Sequence, residues 1–323
     1  AVPARSQPST SPKVVLAPTI TALVSATPTG GSGNDYGESP TLSANGRLVA
    51  WRDASTDLVS GDTNGAIDAF VRDMVTDVTE RVDVSTSGAQ ANGGVGGPPS
   101  ISRDGRYVAF DSSASNLVVG DANAKVDVFV RDRVAKTTER VSIASDETPG
   151  NGDSWQPVIT PDGRYVAFTS IATQLVGGDT NAVRDVFVRD RQLGTTVRVS
   201  VSSAEAQATG FSDSPSITPD GRYVAFHSAA ANLVASVANA VDDVFRRDLV
   251  AGTTIRVSVK AGGGQATGGI SGSDRQPISD DGNRITFVSA ATDLVSGDTN
   301  GATDVFQRNI TSNTTVRVNL GPG

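Results

Sequence analysis

The feature that most constrains this chain is a motif of about thirteen residues that occurs five times. Its copies begin at Ser39, Pro98, Gln156, Ser214 and Gln276 and read SPTLSANGRLVAW, PPSISRDGRYVAF, QPVITPDGRYVAF, SPSITPDGRYVAF and the shorter QPISDDGNRITF. The glycines at their centres, Gly46, Gly105, Gly163, Gly221 and Gly282, lie 59, 58, 58 and 61 residues apart. Self-similarity at a fixed period predicts stacked or radial structural repeats.

Each repeat contains four short segments with the character of β-strands. Over 215–218 and 222–226, side chains alternate between the two faces of a strand. Asp220-Gly221 between these segments tolerates the positive φ of a tight hairpin turn. The segment 223–226 is apolar on both faces, which predicts a strand buried between neighbouring sheets. The later segments DVFVRD (185–190) and TTVRVSV (195–201) supply strands three and four.

These patterns predict an all-β fold, a five-bladed β-propeller with four antiparallel strands per blade and repeats of about 58 residues. The repeats start near 39, 98, 156, 214 and 275, and they run almost to the end of the chain. We therefore expect a single propeller domain over 19–323, preceded by a Pro- and Ser-rich leader, 1–18, without stable structure.

The repeated Pro-x-Ile-Ser/Thr-x-Asp-Gly-Arg-Tyr-Val-Ala-Phe core resembles the WD-like repeat of the TolB-type propeller family. The resemblance covers residues 39 to 320 five times. It implies the fold and a binding habit, and it leaves the ligand open because propellers of one architecture serve many tasks. The long insert between strands two and three departs from the shorter family repeat.

Composition disfavours several classes of partner. The chain has a net charge of -8, which repels nucleic acid and anionic membranes on average. It has no apolar run of the length that a membrane span requires, and no cysteine. By analogy with polar propellers that carry such leaders, we expect a secreted or periplasmic bacterial protein.

The ends of the chain offer one strand too many for five blades. Residues 19–25 resemble a fourth strand, yet 314–320 already completes the last repeat. We expect 19–25 to form β-structure that is hydrogen-bonded to the blade containing Phe287, either as an added edge strand or in place of the last strand.

The insert carries a recurring set of oxygen ligands at positions i, i+2 and i+6. Such a turn can direct three side chains at one point, and calcium binds carboxylate and amide oxygens. The alternative is an Asx turn, in which the same residues cap backbone groups. The candidate calcium ligands are Asp62, Asn64 and Asp68 in repeat one, Asp121, Asn123 and Asp127 in repeat two, Asp179, Asn181 and Asp185 in repeat three, and Asp298, Asn300 and Asp304 in repeat five. Repeat four has Val237, Asn239 and Asp243, lacks the first ligand, and should bind worst.

The repeats differ most from one another in the connector that precedes the first strand. In a propeller these connectors open on one end of the central channel, so their side chains gather around a single mouth. The predicted ligand-binding residues are Tyr36, Glu38, Trp155, Phe211, Asp213, Asp274 and Arg275. Aromatic and arginine side chains are typical of binding hot spots, although variable loops are also the default where nothing constrains them.

Two classes of function fit a propeller of this kind. The first is a non-catalytic module that binds a protein or a glycan, including a calcium-dependent lectin. The second is a five-bladed glycoside hydrolase, which needs two or three carboxylates on different inner strands. The inner-strand positions are Thr41, Ser43, Ser100, Ser102, Val158, Thr160, Ser216 and Thr218, and none is acidic. The only histidine, His227, follows the aromatic residue of strand two, where we expect a solvated strand end. We therefore favour the binding module and expect no enzymatic activity.

Overall fold

A computed structural model describes residues 21–235, 241–267 and 277–319. The described residues form β-strands and turns without a helix, and none of them forms a helix that could span a membrane. The strands make five antiparallel sheets that follow one another along the chain. The predicted all-β repeat architecture and the four-strand repeat unit are thereby confirmed.

Four of the sheets have four strands each, and every strand pairs with the one before it in sequence. Sheet 1 comprises β1 (Gly37–Leu42), β2 (Leu48–Asp53), β3 (Asp68–Asp73) and β4 (Val78–Arg81). Sheet 2 comprises β5 (Ser100–Ile101), β6 (Tyr107–Ser112), β7 (Asp127–Asp132) and β8 (Thr137–Arg140). Sheet 3 comprises β9 (Ser154–Ile159), β10 (Tyr165–Ser170), β11 (Asp185–Asp190) and β12 (Thr195–Arg198). Sheet 4 comprises β13 (Ser212–Ile217), β14 (Tyr223–Ser228), β15 (Asp243–Asp248) and β16 (Thr253–Arg256).

Sheet 5 comprises β17 (Arg284–Ser289), β18 (Asp304–Asn309) and β19 (Thr314–Arg317). A single bridge between Ile278 and Ile285 takes the place of its first strand.

The turn of the repeated motif is built by its Asp-Gly pair. In sheet 3, the Thr160 hydroxyl donates to Asp162, and Asp162 accepts the backbone N–H of Arg164 at 3.0 Å. Gly163 has a φ of 75°, which a side chain would strain, and a Cβ there would overlap the ring of Tyr107 in sheet 2. The glycine is therefore required twice, once by the turn and once by the neighbouring sheet.

The core lies between successive sheets, and each sheet has two different faces. In sheet 3, Val166, Phe168 and Phe187 form what we call the aromatic face, which packs on sheet 2. Ala167 and Val186 belong to the opposite, aliphatic face, which packs on the aromatic face of sheet 4. The same arrangement of an aliphatic face on the next aromatic face joins sheets 1 and 2 and sheets 4 and 5. This explains why strand two is apolar on both sides, as its sequence predicted.

The expected pairing of residues 19–25 with the Phe287 blade is wrong for the residues that the structure describes. Residues 21–25 form no strand, and Val24 packs instead against Trp51, Leu58 and Phe70 of sheet 1. The apolar face of sheet 1 lies directly beside this segment in sequence, and covering Trp51 removes a large apolar surface from water. Thr19, Ile20, Leu320 and the predicted leader lie outside the described residues.

Sheet 1 contains a buried acid where the other sheets have a neutral residue. In sheet 2, the Ser142 hydroxyl donates to Asp127 at 2.6 Å and accepts the N–H of Val128. In sheet 1, Asp83 takes this position beside Asp68, and both carboxyls are fully buried. Burial, and then the charge of Asp68, raises the pKa of Asp83 well above its usual range.

We expect Asp83→Ser to stabilise the protein at neutral pH by about 1–2 kcal/mol. A raised pKa in the folded state means that Asp83 contributes stability only below the ordinary aspartate pKa, near 3.8, and that this contribution is lost as pH rises towards the folded value. The gain should therefore be present at pH 7 and absent at pH 3, as measured by urea unfolding at both pH values.

The matched control is the reverse change, Ser142→Asp, which creates the same acid pair in sheet 2. It should destabilise the protein at pH 7 and have a smaller effect at pH 3. Equal unfolding midpoints for Asp83→Ser and the parent at pH 7 would contradict the assignment of Asp83 as an internal destabilising group.

Candidate functional site

The antiparallel pairing places two sets of loops at the same edge of every sheet. In sheet 3, Ser154 at the start of β9 pairs with Ser170, which pairs with Asp185 at the start of β11. The connector before the first strand and the insert before the third strand therefore lie together at one edge of the sheet. We call this edge the connector edge. The Asp-Gly turn and the turn between strands three and four lie at the opposite edge.

The first strands of three sheets begin with a strained bulge at the connector edge. Ser39, Gln156 and Ser214 have φ values of 57°, 57° and 55°, a left-handed conformation that costs a non-glycine residue about 1 kcal/mol or more. The register shifts at these points, between Glu38 and Thr41 in sheet 1 and between Asp213 and Ser216 in sheet 4. Such bulges re-aim neighbouring side chains and occur frequently beside functional sites.

Sheet 2 departs from this pattern because of one residue. Pro98 occupies the bulge position, and the proline ring holds φ near −65°, so the left-handed bulge cannot form. Its first strand, β5, is accordingly reduced to Ser100–Ile101, and an isolated bridge from Val95 to Ser112 replaces the start of the strand. The connector edge is thus unequal from sheet to sheet.

The predicted binding residues of sheets 1 and 3 flank these bulges. Tyr36 is 54% exposed and immediately precedes β1, where Glu38 forms a 2.6 Å ion pair with Arg52 across the strand pair. Trp155 is half-buried in β9 and pairs with Thr169. Tyr36 and Trp155 belong to sheets 1 and 3, and Phe211 directly precedes β13 of sheet 4.

The predicted residues of sheet 4 form a compact polar cluster. The Asp213 carboxylate lies 2.9 Å from the Arg184 guanidinium and 3.2 Å from Nδ1 of His227. Arg184 also stacks over the ring of Phe211 at 4.6 Å, and Phe211 meets His227 edge-on. Oδ2 of Asp242 lies 3.4 Å from Nε2 of His227, so this imidazole stands between two carboxylates.

The sequence-based expectation for His227 is wrong. Its side chain is only 13% exposed, because Asp213 pairs with it across β13 and β14 and Phe211 covers its ring. Arg184 and Asp242 were not identified from the sequence, since each lies one residue before a repeated Asp of strand three, where the other repeats have unrelated residues. Asp274 and Arg275 lie outside the described residues.

Asp111 occupies in sheet 2 the position that His227 has in sheet 4. It is 2% exposed and accepts the backbone N–H of Gly97 at 3.1 Å. Burial raises the pKa of Asp111 to about 6, although the Gly97 N–H and the charge of Arg52 partly oppose this. Equivalent positions at this edge therefore carry an arginine, an acid, a threonine and a histidine in sheets 1 to 4.

The predicted calcium ligands lie in the inserts at the same edge, and their asparagines form Asx turns. The Asn64 side-chain oxygen accepts the N–H of Ala66 at 3.0 Å, while its amide nitrogen donates to Asp68 at 2.8 Å. Asn123, Asn181 and Asn300 accept from the residue two positions later in the same way. Asn239 and Val237 of repeat four lie outside the described residues.

In each insert that has both aspartates of the i, i+2, i+6 pattern, an arginine of strand four forms ion pairs with both of them. In sheet 2, the Arg140 guanidinium is 3.0 Å from Asp121 and 3.1 Å from Asp127. Arg81 lies between Asp62 and Asp68, Arg198 between Asp179 and Asp185, and Arg317 between Asp298 and Asp304. Burial raises the pKa of Asp121, and the Arg140 charge opposes this shift. Within the described ranges, no group of three or more His, Asp or Glu has the arrangement of a metal site.

Comparisons with known proteins identify the fold. In the solved structures, TolB from Acinetobacter baumannii matches with a TM-score of 0.51 and 17% identity, over 90% of this chain and 56% of that one. A putative TolB from Agrobacterium tumefaciens matches with a TM-score of 0.50 and 16% identity, over 88% of this chain and 80% of that one. The β-propeller domain of the Trilobed protease from Pyrococcus furiosus, described as having an open velcro topology, matches with a TM-score of 0.51 and 12% identity. The match covers 85% of this chain and 69% of that one.

These similarities show a TolB-like β-propeller fold, as the repeated motif predicted. The chain spans little more than half the length of the Acinetobacter TolB. No protein-family model and no curated protein matches the sequence.

We expect Asp213→Asn to destabilise the protein by about 1–3 kcal/mol at pH 7, because it removes the charge that holds Arg184 and His227. Burial opposes the ionisation of Asp213, but the hydrogen bond and charge of His227 and the charge of Arg184 outweigh it and lower the pKa of this carboxyl. The stability it contributes is therefore present above the ordinary aspartate pKa and is lost as pH falls through the lowered value.

The measurement is the difference in unfolding free energy between Asp213→Asn and the parent at pH 7, 5 and 3. The difference should shrink at pH 3. Asp57→Asn, a change of an aspartate in the exposed first insert, is the control and should have little effect at any pH. A constant difference across the three pH values would show that the carboxylate charge of Asp213 is not what holds the cluster.

Proposed function

We propose that this chain is a non-catalytic propeller module that binds a protein partner at the connector edge. The observation that carries the proposal is the strained bulge at Ser39, Gln156 and Ser214. Each bulge places a left-handed residue inside a first strand, and each positions a different side chain, Glu38, Trp155 or Asp213, at the same edge. A repeated scaffold that retains strain where its units differ is suited to holding one asymmetric partner.

The proposal takes the five sheets as five blades arranged around a central channel, with the first strand of each sheet innermost. The connector edges of the blades then form one mouth, which contains Tyr36, Glu38, Trp155, Phe211 and Asp213. Arg184 and His227 join them through their contacts with Asp213. This mouth combines aromatic, acidic and basic groups, which is typical of a protein-binding hot spot.

The hydroxyl groups that directly follow the first strands serve the structure of the hairpins. Ser102, Thr160 and Thr218 each donate to the Asp of their own turn and accept the backbone N–H that begins the next strand. These hydroxyls are therefore occupied in building the hairpins. The first strands carry two acids, Glu38 in β1 and Asp213 in β13, and each is paired with an arginine, Glu38 with Arg52 and Asp213 with Arg184. Glycoside hydrolysis would instead need two or three such carboxylates directed at one substrate.

A protein fits the proposed mouth better than a glycan. Sugar-binding sites commonly offer open aromatic faces, whereas Trp155 and Phe211 are half-buried and the guanidinium of Arg184 covers the Phe211 ring. The charged groups around Asp213 suit a polar peptide surface. We place the protein outside the bacterial cytoplasm, on the analogy with polar propellers that carry Pro- and Ser-rich leaders.

We also propose that calcium can bind the acidic inserts when their arginine is displaced. In the described geometry, the Arg140 guanidinium neutralises Asp121 and Asp127. A divalent cation would supply the same charge compensation with oxygen ligands, which the two acids, Asn123 and backbone carbonyls could provide. Calcium and arginine are thus alternative counter-charges for the same pair of acids.

We expect Arg140→Ala to lower the melting temperature, because it leaves two buried acids without a counter-charge, a loss of about 3–5 kcal/mol for a buried pair. Millimolar calcium should restore more of the stability of this variant than it adds to the parent, since a ligand that binds only the folded state raises stability. The measurement is thermal unfolding of both proteins in calcium and in excess chelator. Identical melting curves in both conditions for both proteins would exclude calcium at this insert.

The binding site is tested by replacing its aromatic residues. The double variant Trp155→Ala, Phe211→Ala should keep the parent's circular dichroism and lose at least tenfold in affinity for a protein partner, once one has been isolated with the parent as bait. The matched control is Leu193→Ala, Val250→Ala, which changes two residues 69% and 76% exposed at the opposite edge. Unchanged affinity of the Trp155→Ala, Phe211→Ala variant would show that the partner binds at another surface. Binding to a glycan array without binding to any protein would show that the partner is a glycan.

A further inference from the structure

In three sheets, the residue that follows the aromatic of strand two is held by a side chain of the first strand. The pairs are Arg52 with Glu38 in sheet 1, Thr169 with Gln156 in sheet 3, and His227 with Asp213 in sheet 4. In sheet 2 this residue is Asp111, and the first strand of that sheet begins only at Ser100. The backbone of the connector holds the Asp111 carboxylate in place of such a side chain.

Gly96 and Gly97 of this connector, which we call the flap, lie directly against the carboxylate. The Gly97 N–H donates to Oδ1 of Asp111 at 3.1 Å, and the Gly96 N–H donates to the backbone carbonyl of Asp111 at 3.3 Å. A Cβ on Gly96 would overlap Oδ2 of Asp111, and one on Gly97 would lie 2.8 Å from Oδ1. Neither glycine has a left-handed φ, so the missing side chain serves the close approach to the carboxylate.

The flap spans two fixed points. On one side, Val95 is 3% exposed, packs in the apolar core between sheets 1 and 2, and donates its N–H to the backbone carbonyl of Ile67 at 2.8 Å. On the other side, Pro99 is buried. Between these anchors, Gly96 is exposed and Gly97 is half-buried, so the flap can move without disturbing the core.

Asp111 is buried without a counter-charge of its own. It is 2% exposed, and no lysine, arginine or histidine of the described ranges forms an ion pair with it. The positive charge that acts on it belongs to Arg52, whose guanidinium is engaged with Glu38 at 2.6 Å and donates to the backbone carbonyl of Gly96. The flap therefore lies between an arginine of sheet 1 and an acid of sheet 2.

The other elements around Asp111 present uncharged side chains. Val128 pairs with it in β7. Ile67 of sheet 1 and Val126 of sheet 2 occupy positions at which sheets 3 and 4 carry charged residues. These three side chains carry no charge and donate no hydrogen bond, so the ionised carboxyl depends on hydration by water, from which the flap separates it.

Protonation and ionisation of Asp111 favour different positions of the flap. Burial raises the pKa of Asp111 to about 6, from the ordinary aspartate value of 3.8. A raised pKa means that the closed flap is most stable below pH 3.8 and loses this advantage as pH rises through 6. Above that pH, the ionised carboxylate is better hydrated when Gly96 and Gly97 move away from it.

We propose that the flap is a pH-dependent switch at the connector edge, closed over Asp111 when this carboxyl is protonated and open when it is ionised. Opening withdraws the Gly96 carbonyl from Arg52, which leaves N–H groups of this guanidinium free beside Glu38. An arginine with free donors binds carboxylates and carbonyl oxygens. The consequence for a bound partner rests on the proposed function, whereas the flap itself does not.

Hydrogen exchange of the Gly97 amide, measured by NMR at pH 5 and pH 7, tests the switch without a partner. The rate at each pH is divided by that of an unstructured peptide, which leaves the equilibrium constant for opening. With a carboxyl pKa of about 6 in the closed state and 3.8 in the open state, opening should be about tenfold more frequent at pH 7 than at pH 5. The amides of Val95 and Ser154, each of which donates to the insert of the preceding sheet, should show no such change.

Asp111→Asn is the informative variant, because asparagine keeps an oxygen for the Gly97 N–H and cannot ionise. It should show the same opening constant at both pH values and at least tenfold less opening than the parent at pH 7. Asp111→Thr, which introduces the residue of sheet 3 at this position, should lose the pH dependence in the same way if Asp111→Asn does not fold. The matched control is Asp104→Asn, at the opposite edge of the same sheet, where sheet 1 has Asn45; it should keep the tenfold dependence of the parent.

The proposal is overturned if the parent flap opens equally at pH 5 and pH 7, or if the pH dependence survives in Asp111→Asn. It is also overturned if the Ser154 amide shows the same tenfold change, which would indicate opening of the whole structure. Carbon NMR of the folded parent gives a direct check, because an Asp111 pKa near 3.8 would contradict the switch. A failure of Trp155→Ala, Phe211→Ala to weaken partner binding would leave these measurements unchanged, so the two proposals fail separately.

Discussion

The packing of an aliphatic face on an aromatic face is the interaction on which the rest of the structure depends. A single sheet of four short strands buries too little apolar surface to be stable alone, and each sheet here gains its core from its neighbours. Phe168 and Phe187 are fully buried only because sheet 2 covers them. The turn glycines follow from the same requirement, since Gly163 must let the Tyr107 ring approach its backbone. Sequence identity among the repeats is highest where these contacts are made.

Much of this could be predicted from the sequence because the junction residues recur. The period of the turn glycine, the apolar strand 223–226 and the DVFVRD segments locate four strands in each repeat. The structure has them there in repeats one to four, and in repeat five a single bridge replaces the first strand. The position of residues 21–25 could not be predicted in this way. The sequence of a strand-like segment does not specify which sheet it packs on. Residues 21–25 pack on Trp51 because an uncovered apolar face lies there.

The candidate site was only partly predictable, for a related reason. Comparison of the repeats located Phe211 and Asp213 because those positions vary, but Arg184 and His227 reach the site through pairing across strands and between sheets. The Asp-x-Asn inserts illustrate the same limit. Their spacing is compatible with a metal, while Arg140, distant from the insert in sequence and adjacent to it across the sheet, supplies a cation that no local pattern reveals.

The one-to-one contact between neighbouring sheets also determines where the native structure opens first. Among the described residues, apolar clusters join each of sheets 2, 3 and 4 to two neighbouring sheets, and each of sheets 1 and 5 to one. In such a linear array, the free energy of local opening rises from the ends towards the middle. Amide protons of β10 and β11 should therefore be the slowest to exchange with solvent, and those of β18 and β19 should exchange first. Repeats of similar sequence are therefore expected to differ in local stability because of their position in the array.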